Sequence, residues 1–258
     1  MPIAAELEKS LFALAPREGA MDWDNVGLLV GDPARSVSRV LVALDITEAV
    51  AEEALAKGCD TIVAHHPVMN CRWLPVQSLR EDEPQGRLLR KLVKADVAAI
   101  CMHTNLDVAQ GGVNDALAEA LELIDPGPLL PDGLGRVGTL KAPMNLRDFA
   151  ALVKERLDAN GVRWADAGKL VHRVAVGGGA CGDLEQAAID AGCDTFVTSD
   201  IKYHQFLDAP THGINLIDAG HFPTENPVCD TLISYLKEQF PELTIIKSAS
   251  HREVIQYI

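Results

Sequence analysis

Four consecutive residues occur twice in this chain. Gly58-Cys59-Asp60-Thr61 returns 134 positions later as Gly192-Cys193-Asp194-Thr195. At the same offset Arg39-Val40 answers to Arg173-Val174, and Ala54 to Ala188. Chance can supply one shared tetrapeptide, but not easily the flanking matches in register with it. Each copy reads as strand (40–44; 174–176), loop, helix (about 47–57; 183–191) and strand (61–64; 195–198). That is a βαβ unit used twice. The fold class it predicts is α/β, with two similar α/β lobes produced by an internal duplication and facing each other.

Residues 125–143 are crowded with Pro126, Pro128, Pro131, Gly133, Gly135 and Gly138, the composition of a connection. The expected division is therefore a first lobe over 1–125, a connection over 126–145 and a second lobe over 146–258, with elements of both lobes free to interleave. Within the connection, 136–140 reads as an edge strand. The chain after His66 reads as loop to about Glu83, broken by Pro75 and Pro84, and residues 85–94 as a basic helix.

Short β-branched runs such as Thr61 to Ala64 suit strands of a parallel sheet covered on both faces. Functional groups in such sheets gather at the carboxyl ends of the strands. Here those ends carry His65-His66, then His103 with Asp107, then Asp200 with His204, and finally Asp218, His221 and Glu225. Each alone has a plain reading, such as a loop histidine, a turn cap or a carboxylate at a helix start. Asp22 and Asp24 read as turn formers rather than ligands. Recurrence at one edge of a duplicated fold is harder to explain that way. Imidazoles and carboxylates without thiolate suit Zn, Mn, Fe, Co or Ni. Adjacent histidines on extended backbone diverge, so His65 and His66 more readily serve two ions than one.

Composition narrows the field further. The formal net charge is −14 with no basic block, which argues against a broad nucleic-acid surface. A small anionic substrate remains compatible if metal ions supply positive charge locally. No apolar run approaches the ~20 residues of a membrane span, and the start of the chain lacks the basic segment of a secretory signal. A cytoplasmic protein is expected. Cys59, Cys101 and Cys193 sit inside apolar strand patterns and read as small buried hydrophobes. Gly177-Gly178-Gly179-Ala180-Cys181-Gly182 fits G-x-G-x-x-G, with Asp200 18 residues beyond Gly182. The helix after it is short for a dinucleotide site, so a tight turn or a cradle for a substrate phosphate is the better reading.

Six pieces, in order, carry a family resemblance. They are Trp23-Asp24-Asn25-Val26-Gly27-Leu28; His65-His66-Pro67; His103-Thr104-Asn105-Leu106-Asp107 with Gly111-Gly112-Val113-Asn114; Gly135-Arg136-Val137-Gly138; Asp200-Ile201-Lys202-Tyr203-His204; and Gly220-His221-Phe222-Pro223-Thr224-Glu225. The chain resembles the NIF-three-like dinuclear-metal family, whose bacterial members are called GTP cyclohydrolase 1 type 2 homologs. The resemblance implies two divalent transition-metal ions per chain, in a cleft between the lobes, with ligands His65, His66, Asp107, His221 and Glu225. It implies His66 and Asp107 on one ion, His65 and His221 on the other, and Glu225 between them. It also implies a ring-shaped homohexamer. Ser199 stands where that pattern expects glycine before Asp200, and the connection is too short for the extra domain that some relatives carry.

Two functions follow as expectations. One is a metal-dependent hydrolase acting on a nucleotide or similar small molecule, with His103 and His204 as proton carriers and Arg136 and Lys202 as phosphate contacts. The other is a non-catalytic metal-binding or scaffold protein that works as a hexameric ring.

Overall fold

The structure, a computed structural model, describes residues 1–69 and 78–258. Part of the loop expected after His66, including Pro75, lies outside the described residues. In chain order the first elements are Ala4–Leu14 (α1), Gly27–Val30 (β1), Arg39–Ala43 (β2), Glu48–Ala56 (α2), Thr61–Ala64 (β3) and Pro84–Ala95 (α3). Ala98–Cys101 (β4), Thr104–Val108 (α4), Val113–Ala120 (α5), Ile124–Pro128 (β5), Arg136–Met144 (β6) and Leu146–Arg156 (α6) follow. Then come Arg163–Ala165 (β7), Val171–Val176 (β8), Glu185–Asp190 (α7), Thr195–Thr198 (β9), Tyr203–His212 (α8) and Asn215–Asp218 (β10). The last are His221–Glu225 (α9), Pro227–Gln239 (α10) and Thr244–Lys247 (β11).

The chain divides into two compact units. Residues 1–109 with 229–252 form one, and 110–228 with 253–258 form the other. The boundaries differ from those expected at 125 and 145. Strand β11 pairs in parallel with β2, Ile245 opposite Val40, which takes the last strand into the first unit. The supposed connection is itself structured. β6 is no edge strand: it lies between β5 and β8 and spans nine residues.

Among the described residues, the first unit has one sheet in the order β1-β4-β3-β2-β11, parallel except for β1. Leu41, Ile62 and Ala99 project from one face onto Val50, Ala51 and Ala54 of α2 and Leu88, Leu89 and Leu92 of α3. The second unit has the order β5-β6-β8-β9-β10-β7, with β8, β9 and β10 parallel. Period-two alternation sends Val174, Val176, Val197 and Ile217 to a layer with Phe149 and Val153. It sends Ala175, Phe196 and Leu216 to the opposite layer with Ala188 and Ala209. Each large side chain buried this way contributes about 1.5–3 kcal/mol, so both sheets are covered on the faces that their sequences leave apolar.

The repeated tetrapeptide does the same job in both units. Gly58 and Gly192 close their helices in the left-handed region, at φ 64° and 73°, where a glycine carries no Cβ penalty. The amides of Cys59 and Cys193 return to the carbonyls of Ala54 and Ala188, at 2.8 and 3.0 Å. The Asp60 carboxylate then accepts from the amides of Ser38 and Arg39, and Asp194 accepts from those of His172 and Arg173. An acid at this point satisfies the amides where the neighbouring strand begins, which fixes the register: Val40 faces Thr61 and Val174 faces Thr195. The duplication is therefore one of structure as well as of letters. Burial pushes the Cys101 thiol up to about 12 and the Cys193 thiol up to about 11, as inert core thiols require. No helix among the described residues is long and apolar enough to cross a membrane.

Candidate metal centre

In the first unit the carboxyl ends of β2, β3 and β4 deliver Asp45, His65-His66 and His103. The five-residue helix α4 then carries Asp107. His65 is fully buried, and its Nδ1 lies 2.8 Å from the Met102 carbonyl oxygen. A carbonyl can only accept, so Nδ1 holds the proton and Nε2 presents a lone pair. That nitrogen faces Asp107 Oδ1 at 3.5 Å. Two electron-rich atoms set against each other in a buried place call for a cation or a proton.

The neighbouring rings are oriented in the same way. His66 Nδ1 donates to Asp45 Oδ1 at 2.7 Å, and His103 Nδ1 donates to Asp24 Oδ1 at 2.8 Å. Asp24 also accepts from the backbone and hydroxyl of Thr104, at 3.0 and 2.5 Å. Burial works against the charge on Asp24 and Asp45. Hydrogen bonds from His103 and Thr104 to the one, and from His251 and His66 to the other, outweigh it and hold both carboxyls well below the usual range. One nitrogen from each of His65, His66 and His103 lies within 4.8 Å of the other two. His65 and His66 do not diverge as extended residues would. The strand has ended at Ala64, and both of their amides turn onto the Leu44 carbonyl, at 3.1 and 2.9 Å.

In the second unit His221 and Glu225 occupy one face of α9, four residues apart. His221 Nδ1 donates to Asp200 Oδ2 at 2.6 Å, and its Nε2 lies 3.1 Å from Glu225 Oε2. Burial disfavours the His221 cation, but the two carboxylates outweigh it and push its pKa up to about 11. The bond from His221 in turn holds the Asp200 carboxyl below its usual range. The glycine run wraps this helix. The Gly178 amide donates to Asn114 Oδ1 at 2.9 Å and the Gly179 amide to Thr224 Oγ1 at 3.0 Å. A Cβ on Gly179 would overlap Glu225 Oε1 and crowd His221 Nε2 at 3.2 Å.

This donor chemistry fits transition-metal ions. Histidines that ligate metal donate their other ring N–H to a carboxylate or a carbonyl, which fixes the tautomer and aims the lone pair. His65, His66, His103 and His221 all do so. Across the chain, residues 3–253 match the family model described as Duf34/NIF3 (NGG1p interacting factor 3). The chain belongs to the Duf34/NIF3 family.

Its relatives agree over nearly the whole length. A Streptomyces coelicolor protein named GTP cyclohydrolase 1 type 2 homolog is 40% identical over 250 residues, covering 92% of this chain and 87% of that protein. A hypothetical protein of Staphylococcus aureus with a crystal structure is 32% identical, with a TM-score of 0.91 and 99% of each chain covered. A Bacillus cereus protein related to NIF3 is 26% identical, with a TM-score of 0.92, covering 100% of this chain and 99% of that one.

Not every residue expected at the site lies with these groups. His204 is exposed on the first turn of α8, and among the described residues no hydrogen bond or ion pair joins it to the Asp200–His221–Glu225 set. Lys202 is also exposed. Arg136 is buried, and its guanidinium is spent on Asp115, at 2.5 and 2.9 Å, and on the carbonyls of Gly133 and Gly135. These bonds tie it into the fold. In the glycine run, the Gly178 and Gly179 amides are already engaged by Asn114 and Thr224. What the sequence left out are the carboxylates behind the histidines. Asp24 lay within a motif but read as a turn, and Asp45 stood at a strand end with only its position to mark it.

Proposed function

We propose that this Duf34/NIF3 protein is a metal-dependent hydrolase of a nucleotide or similar small anionic molecule. The candidate ligands of two divalent transition-metal ions would be His65, His66, Asp107, His221 and Glu225. The observation that carries the reading is that the imidazoles of His65, His66, His103 and His221 each have Nδ1 tied to an oxygen, which fixes the orientation of the ring. Ions held by these residues would supply Lewis-acid chemistry, activating water and polarising the bond to be cleaved.

The chain's own groups take the remaining tasks. His103, pinned by Asp24 and half-covered beside His65 and His66, holds or moves a proton at Nε2. Asp24 keeps that ring in one tautomer. Trp23, whose ring meets His103 edge-on at 6.0 Å, shields the imidazole from bulk water. A purely scaffolding role leaves the separate anchoring of His103 without a purpose, which favours chemistry.

The deciding experiment reloads metal-free protein with Zn, Fe, Mn, Co or Ni and assays GTP, phosphate esters and cyclic amides. Metal-dependent turnover that disappears in Glu225→Gln, with the oligomeric state unchanged by light scattering, supports the enzyme. Tight metal retention without turnover on any substrate overturns it in favour of the scaffold. His103→Gln is expected to keep its metal and lose turnover by about 10²–10⁴-fold, the usual weight of a general acid–base group. Loss of metal in that variant, measured by elemental analysis, would make His103 a ligand instead.

A further inference from the structure

We propose that His251, in the segment after the last strand, is a positioning residue for the metal ligand His66. The inference rests on the metal-binding reading above. His66 Nδ1 donates to Asp45 Oδ1, and the other oxygen of the same carboxylate accepts from His251 Nε2 at 2.7 Å. Asp45 is thus gripped between two imidazoles, 185 positions apart in the chain. Its side chain is partly open to solvent and His251 is largely covered. A carboxylate at a strand end with one donor can rotate, whereas one held through both oxygens cannot.

The segment that delivers His251 is itself fastened. Glu53, near the end of α2, accepts from Ser248 Oγ at 2.6 Å, from the Ala249 amide at 2.9 Å and from the Ser250 amide at 2.9 Å. Lys57 Nζ adds a fourth donor at 2.6 Å. Burial opposes the Glu53 charge, but these donors outweigh it and hold the carboxyl well below its usual range. The turn over 248–250 is locked by an ionised acid, and the His251 amide closes it on Ser248 Oγ at 3.3 Å. Order therefore passes from Glu53 to the turn, then to His251, Asp45 and the His66 ring. Outer groups of this kind typically change metal affinity 10–100-fold when lost.

Cobalt(II) is the probe, added to metal-free full-length protein and followed by calorimetry and visible absorption. His251→Phe keeps a ring but no donor, and is expected to weaken Co²⁺ binding about tenfold and to shift the ligand-field bands. His251→Gln places an N–H near the same point and is expected to restore both affinity and bands. Two outcomes overturn the inference while wild type binds normally. One is a Phe variant equal to wild type in affinity and spectrum. The other is a Gln variant no better than Phe, which would mark His251 as packing alone. Failure of wild type to take up Co²⁺ overturns the metal reading itself, and is told apart because it needs no variant.

Discussion

Gly179→Ala is expected to abolish metal loading, although residue 179 offers no ligand atom. The backbone there has φ 66°, a region that costs an L-residue about 1–2 kcal/mol. Steric overlap adds to this strain. The new methyl would overlap the Glu225 carboxylate, and Glu225 is almost fully buried at the end of a five-residue helix. The methyl cannot swing away, because the Gly179 amide is tied to Thr224 and its carbonyl accepts from the Ser199 amide and the Thr198 hydroxyl, each at 3.1 Å. Glu225 must move instead, and His221 Nε2 is crowded with it. Metal affinity is expected to fall by more than the ~100-fold that loss of an outer partner can cost, since a proposed ligand itself is displaced. Elemental analysis after dialysis and titration with Co²⁺ measure this. A Gly179→Ala protein that folds and loads like wild type would remove Glu225 from the ligand set.

That glycine also shows where sequence reasoning reached its limit. Gly177 to Gly182 matches a nucleotide pattern, yet its missing side chains make room for α9 and its amides serve Asn114 and Thr224. Pattern alone cannot tell an amide that is open to a phosphate from one already bonded inside the protein. Local signals fared better. The Gly-Cys-Asp-Thr repeat was legible because Asp60 and Asp194 cap neighbouring strands by short-range bonds that demand those residue types. His65, His66, His103 and His221 stood out because strand ends are visible as apolar runs that stop. Asp45 and His251 did not, because their meaning lies in a contact across 206 positions. β7 escaped notice at three residues, and α8 was hidden by Pro210 near its end. The last strand reads as a strand, but its partner β2 lies 205 positions earlier, Ile245 opposite Val40, so its unit could not be read locally.

Metal binding is expected to strengthen tenfold for each unit of pH between about 6.5 and 9, roughly 300-fold across that span. The cause is the proton on His221. Without an ion, Nδ1 donates to Asp200 and Nε2 to Glu225, and the pair of acids pushes the ring's pKa up to about 11. An ion that takes Nε2 must expel that proton, so binding releases one proton wherever the ring is still charged. Calorimetry in buffers of different ionisation enthalpy counts it. Linkage sets the accompanying change in stability. The folded-state pKa lies above the unfolded value near 6.5, so the stabilisation that this proton gives the metal-free protein is complete below about 6.5. It declines as pH rises and is gone above about 11. Metal-free protein should accordingly lose melting temperature between pH 7 and pH 9, while the loaded protein, whose site no longer holds that proton, loses less. Asp200→Asn removes one of the two acids and should flatten the pH dependence of binding. An affinity that does not vary with pH, with no proton released, would mean that metal does not displace a proton from His221, and would take that imidazole out of the proposed centre.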